Sequence, residues 1–206
     1  MQDLKPLAVP QERVKPPKQH ILTAYVEDRP GVLNRVTSLF SRRGYNIASL
    51  TVGRTDKPGV SRMTIVVEAD DNAARLVEAN LYKLVNVLRV EDVTDEPTVV
   101  RDLVLIKVRA DAVSRPQILQ LCDIFRARVV DIAPTSLIIE STGTEEKLAG
   151  FVEVLKPFGI TELVRTGSVV MTRGAEPLTA NPHFINAQVP DESGAGNGLS
   201  AAQPDE

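Results

Sequence analysis

Two stretches of this chain carry the same apolar pattern 85 residues apart. Leu33, Val36, Leu39 and Phe40 fall at i, i+3, i+6 and i+7. Ile118, Leu121, Ile124 and Phe125 repeat that spacing, and Ile47 is answered by Ile132. Such spacing lays one apolar face along a helix of 3.6 residues per turn. A pattern that returns at a fixed interval indicates a repeated supersecondary unit, and this restricts the fold more than composition does.

The sequence around the first stretch reads β-α-β-β-α-β. Residues 20–27 are rich in Ile, Leu, Tyr and Val and predict a strand. Pro30 is expected to open the first helix, where its missing N–H costs nothing, and Gly44 to close it. Residues 47–54 and 61–69 predict two strands about the turn Asp56-Lys57-Pro58-Gly59, with Met63, Ile65 and Val67 on one face. Asp71 is the expected cap of a helix over 72–85, and 87–94 predicts a fourth strand. Pro97 marks a linker, after which the order returns: strand 102–110, a helix capped by Ser114, strands 128–132 and 136–141 parted by Pro134, a helix from Thr144 to about Lys156, and strand 160–166. The expected fold class is α+β, two tandem ferredoxin-like units with helices on one face of each sheet. The expected division is a disordered leader 1–19, a first unit 20–95, a second unit 96–173 and an acidic disordered tail 174–206.

Charge is distributed unevenly. The net charge of −3 divides into +2 over residues 1–19, zero over 20–173, and −5 over 174–206, where no Lys or Arg occurs. The neutral middle lacks the basic stripe of a nucleic-acid binder. No apolar run approaches the ~18 residues of a membrane span, and one cysteine, Cys122, forms no internal disulfide, so a cytoplasmic protein is expected. Two histidines, His20 and His183, with one cysteine supply no zinc set. Nucleophile-elbow, phosphate-loop and dinucleotide fingerprints are missing. Cys122 reads as a packed thiol and His20 as a strand-edge residue. These readings favour a binding protein over an enzyme, with no metal and no cofactor of its own.

One loop has the chemistry of a binding site. Glu27-Asp28-Arg29-Pro30-Gly31-Val32-Leu33 joins the first strand to the first helix. A helix start offers free N–H groups and the positive end of the dipole to a carboxylate. Gly31 lets a ligand approach the backbone, Asp28 can hold an ammonium, and Asn46 offers a donor and an acceptor. Val32 and Ile47 are candidates to line an apolar pocket. The same letters also make a good turn and helix start. At the 85-residue offset the second unit has Val113, Ser114, Arg115 and Pro116 there, with Asp131 in place of Asn46, so it lacks the glycine and the first acid.

Residues 20–94 resemble an ACT domain, an amino-acid-sensing module. More narrowly, Asp28–Leu33 with Leu39-Phe40-Ser41-Arg42-Arg43-Gly44-Tyr45-Asn46-Ile47, Ser49-Leu50-Thr51-Val52 and Ser61-Arg62-Met63-Thr64-Ile65 resemble the small, regulatory subunit of acetolactate (acetohydroxyacid) synthase. Ile124-Phe125-Arg126 and Val130-Asp131 extend the likeness into the second unit. The resemblance implies a non-catalytic chain that activates a large catalytic subunit and confers feedback inhibition by valine in branched-chain amino-acid synthesis. It implies that the catalytic partner holds thiamine diphosphate, Mg2+ and FAD. It further implies a homodimer through the ACT domains, with valine between the loop of one chain and a strand of the other. Carried over by motif, the effector contacts are Asp28, Gly31, Val32, Leu33, Asn46 and Ile47. Arg42, Arg43, Arg54 and Arg62 are candidates for contact with the catalytic partner. The rival readings are an ACT regulator of another amino-acid pathway and a ferredoxin-like RNA-binding module, for which Tyr25 is the one aromatic residue in a central strand.

Overall fold

The structure, a computed structural model, describes residues 18–175; the rest of the expected leader and tail, with His183, lies outside the described residues. The elements run β1 Lys18–Glu27, α1 Val32–Arg43, β2 Ile47–Arg54, β3 Val60–Ala69, α2 Asp71–Leu81 and β4 Val87–Asp92. They continue with β5 Thr98–Arg109, α3 Ser114–Phe125, β6 Arg128–Ala133, β7 Ser136–Gly143, α4 Glu145–Leu155, β8 Ile160–Arg165 and β9 Val169–Thr172. The β-α-β-β-α-β order runs twice, as the repeat predicts. Two antiparallel sheets result, ordered β2-β3-β1-β4 and β6-β7-β5-β8. No helix of the described residues is long and apolar enough to cross a membrane.

Each sheet buries one face beneath two helices. In the first unit Leu22, Ala24 and Val26 of β1 join Met63, Ile65 and Val67 of β3 against Val36, Phe40, Val77 and Leu81. In the second, Val104, Ile106 and Val108 meet Ile118, Cys122, Leu148, Phe151 and Leu155. The Phe125 and Phe151 rings tie α3 to α4, with centroids 4.9 Å apart. Each fully buried Val, Leu, Ile, Phe or Met side chain among them contributes about 1.5–3 kcal/mol.

The repeat is real, but its interval differs from the one the helix faces suggest. Leu33 and Ile132 are exposed, and Ile124 is 73% exposed. The buried faces are Val32, Val36, Leu39 and Phe40 on α1, and Ile118 and Cys122 with half-buried Leu121 and Phe125 on α3. Structural equivalence pairs Val36 with Ile118, Phe40 with Cys122, and the closing residues Gly44 and Arg126, an interval of 82. The first strands keep it: the β1–β4 and β5–β8 ladders both shift register at one place, Tyr25/Val26 and Lys107/Val108. The second helices pair at 74, Asp70 with Thr144 and Val77 with Phe151. An error of three residues nearly completes a helical turn, so it lays apolar residue on apolar residue and leaves the pattern intact.

Helix starts differ too. The residue before α1 is Gly31, and Pro30 lies two positions before the helix, in a turn. Asp70, not Asp71, caps α2 through Ala73 N at 2.8 Å, and α2 stops at Leu81, before Val85. α3 is capped by Asp111, whose Oδ1 accepts from Ser114 N at 2.7 Å; Ser114 Oγ donates to the same oxygen. Thr144 caps α4 as expected. β5 begins four residues earlier than predicted. Its first part, 98–101, pairs with β9, a strand the sequence pattern does not announce.

Both units set a basic side chain against two carboxylates at matching positions, with the acid and the base exchanged. In unit one, buried His20 lies with Nδ1 2.9 Å from Asp92 and Nε2 3.6 Å from Asp71. In unit two, buried Asp102 replaces His20, and Arg165 replaces Asp92. Arg165 reaches Asp102 at 2.5 Å and Glu145 at 3.5 Å, Glu145 standing where α2 has Asp71. His20 is thus a buried, bonded side chain, unlike the strand-edge residue expected. Burial opposes ionisation of Asp92, but hydrogen bonds from Thr94 and His20 outweigh it and hold its pKa below the usual carboxylate range.

Two outcomes follow from this architecture. Gly44 (φ 70°) and Arg126 (φ 55°) close α1 and α3 in the left-handed region with the same pair of amide bonds. Arg126→Gly should therefore raise stability by about 1 kcal/mol in urea denaturation, because a Cβ is costly there; a loss of stability would contradict this. Asp92, with its folded pKa below the unfolded value, stabilises above that value and loses its contribution as pH falls through the folded pKa. Asp92→Asn should show a shallower fall of Tm on acidification below pH ~4 than wild type, and equal slopes would remove Asp92 from the account.

Candidate effector loop and the seam between the units

The β1–α1 loop is held by its own backbone. Asp28 N donates to Gly59 O at 2.8 Å, and Arg35 N to Gly31 O at 3.0 Å. Gly31 is left-handed (φ 85°, ψ −10°), and a Cβ built on it meets nothing within 4 Å. Its counterpart at the corrected interval, Val113, is right-handed. The glycine therefore has a backbone reason of its own, which the 85-residue comparison missed. No side chain caps α1, and its first turn holds no acid. By contrast, α2 has Asp70 and Asp71, α3 has Asp111, and α4 has Thr144, Glu145 and Glu146. Among the four described helices, α1 alone leaves its first N–H groups without a side-chain acceptor, beside open space. That is where a carboxylate is best stabilised.

The predicted site residues are not gathered into one pocket within the chain. Val32 turns into the core, while Leu33 is 44% exposed. Asp28 Oδ2 is paired with Arg54 Nε at 3.0 Å, at the exposed end of β2. Asn46 and Ile47 stand at the other end of that strand: Ile47 is level with Val67 and His20, whereas Arg54 is level with Ser61 and Val26. Seven residues along β2 separate the two ends by about 23 Å. The exposed Ala48, Val52, Gly53 and Arg54 mark β2 as an edge strand with an open side.

Each of the four arginines has a partner within the chain. Arg42 folds back on Ser38 O, and Arg43 reaches Asn80 on α2 at 3.5 Å. Arg54 holds Asp28. Arg62 lies over the Tyr25 ring, 5.5 Å from its centroid, with Nε and Nη2 buried. Tyr25 is itself buried, its phenol pushed to higher pKa by desolvation, so it offers no open stacking platform. Burial and then the Asp123 charge push the Cys122 thiol up, against a nucleophilic role. Among the described residues no His, Cys, Asp or Glu group has the grouping of a metal site.

A second set of polar residues lies at the seam between the units, and the motif reading missed it. The β8–β9 turn, Thr166-Gly167-Ser168, is fastened to β5. Thr166 N donates to Leu103 O at 3.0 Å, Ser168 Oγ to Asp102 Oδ1 at 2.7 Å, and Arg165 to Asp102 Oδ2. On its other side the turn meets β2: Ser168 N donates to Ser49 Oγ at 3.0 Å. A Cβ at Gly167 would stand 2.5 Å from Ser49 Oγ, 2.6 Å from Thr51 Oγ1 and 3.1 Å from Leu50 O. Beside this contact opens a cleft of about 460 Å³ bordered by Ile21, Val66, Val100 and Arg165. In the sequence, Thr166-Gly167-Ser168 signals only a turn.

Comparison with known proteins agrees with both units. Residues 22–89 match the family described as the AHAS small subunit-like ACT domain, and residues 101–174 match the family described as small subunit of acetolactate synthase. The chain is 50% identical over 158 residues to an acetolactate synthase small subunit of Mycobacterium bovis, covering 77% of this chain and 94% of that one. It is 49% identical over 161 residues to the corresponding protein of Mycolicibacterium smegmatis, covering 78% and 95%. The crystal structure of the acetolactate synthase small subunit of Thermotoga maritima superposes with a TM-score of 0.72 at 38% identity, covering 77% of this chain and 99% of that one.

Proposed function

Since this chain belongs to the acetolactate synthase small-subunit family, a non-catalytic regulatory subunit with a large catalytic partner, we propose that it raises that partner's activity and makes it sensitive to valine. In this reading the synthase's thiamine diphosphate, Mg2+ and FAD reside on the partner, in the cytoplasm. The observation that carries the effector site is the uncapped, acid-free start of α1 beside left-handed Gly31 and open space. A free amino acid places its carboxylate on those N–H groups and its ammonium toward Asp28.

The separation of Asn46 and Ile47 from this loop fits a site shared by two copies. β2 is an exposed edge. Antiparallel pairing of β2 with its copy about a twofold axis runs the start of one strand beside the end of the other. Asn46 and Ile47 of one copy then approach Asp28 and Gly31 of the other, which neither copy achieves alone. Valine held across this seam favours one arrangement of the paired sheets, and inhibition requires that this arrangement differ in its contact with the catalytic subunit.

Gly31→Asp tests the loop. The new carboxylate occupies the position of the effector's own and repels it, while aspartate is among the side chains that best tolerate a left-handed backbone. In the reconstituted enzyme, Gly31→Asp should abolish valine inhibition and leave stimulation of the catalytic subunit within about twofold of wild type, with calorimetric valine binding weakened by at least about tenfold. Inhibition retained at the wild-type valine concentration would refute the placement.

A further inference from the structure

We propose that the Thr166-Gly167-Ser168 turn is the joint through which the effector domain acts on the second unit. The proposal rests on the effector reading above and adds its route. β2 begins at Ile47, at the Asn46–Ile47 end of the proposed valine site, and Ser49 follows two residues later. The turn touches that strand with a glycine that leaves no room for a Cβ and with an amide bonded to Ser49 Oγ. Its other side is locked into unit two: Ser168 Oγ and Arg165 share the buried Asp102 carboxylate, and Thr166 is bonded to β5 at Leu103. Asp102 sits where β5 passes from pairing with β9 to pairing with β7.

The adjoining cleft makes this contact decisive. A close-packed interface spreads a displacement over many contacts, whereas here a cleft of about 460 Å³ separates part of the two surfaces and the turn spans them. Movement of β2 either carries the turn with it or breaks the Ser49–Ser168 bond. Both change the fit of unit two against unit one. The buried Asp102 carboxylate, held by Arg165 and by Ser168 Oγ, gives the turn a stiff base, because removing Arg165 leaves a buried charge without its ionic partner.

The test uses the full chain reconstituted with its catalytic subunit. Ser49→Ala removes the acceptor of the Ser168 amide, and Gly167→Ala wedges the joint; Ser49→Ala remains informative if Gly167→Ala does not fold. With valine binding by calorimetry within about threefold of wild type and stimulation intact, either variant should raise the valine concentration for half-inhibition by about tenfold or more. Inhibition curves overlaying wild type in both variants would overturn the proposal. So would parallel loss of valine binding, which would make the turn a support of the site. Failure of the unaltered protein to bind valine would instead overturn the effector reading itself.

Discussion

Burial of one sheet face beneath two helices is the constraint on which the rest of this structure depends. Each four-stranded sheet is too small to be stable bare, and each helix carries apolar residues along one stripe. Once α1 packs back along β1, its N-terminus must return to the end of the sheet where β1 stops. Its uncapped amides therefore lie beside Asp28, the end of β2 and the β2–β3 turn. The same packing places β2 at the edge, with an open side. The open helix start and the unpaired edge of β2 are thus two consequences of one packing arrangement.

The duplication separates what the fold needs from what unit one has added. At equivalent positions both units keep a basic side chain against two acids, left-handed closure of the first helix, and the same register shift on the first strand. These are requirements of the fold, met with different residues: His20–Asp92 becomes Asp102–Arg165, and Gly44 becomes Arg126. The β1–α1 loops differ. Unit two supplies Asp111 to its helix start; unit one supplies no acceptor and leaves open space. At this helix start unit one leaves amides that no side chain of its own satisfies.

Much of this architecture is legible in the sequence. Alternating and helical periodicities located both units and nearly all their elements. What escaped has specific causes. Val32 and Leu33 are both apolar, so periodicity allows the α1 face to start at either, and only packing shows that Val32 is the buried one. β9 and the first part of β5 stabilise one another through a ladder between residues some 70 positions apart, which no local window registers. His20 stands at a strand end in the local pattern, and its burial escapes that pattern because its partners, Asp71 and Asp92, are distant in sequence.

The sequence by itself determined the α+β class, the doubled unit, the helix faces to within one turn, and the loop with its glycine, because each rests on local periodicity or local backbone preference. Only the tertiary structure decided that Asp28 is engaged by Arg54, that Asn46 and Ile47 stand a strand's length from Gly31, and that Gly167 abuts β2. Those are distances between residues remote along the chain. They are set by register and by the packing of one unit against the other, to which one-dimensional spacing is blind.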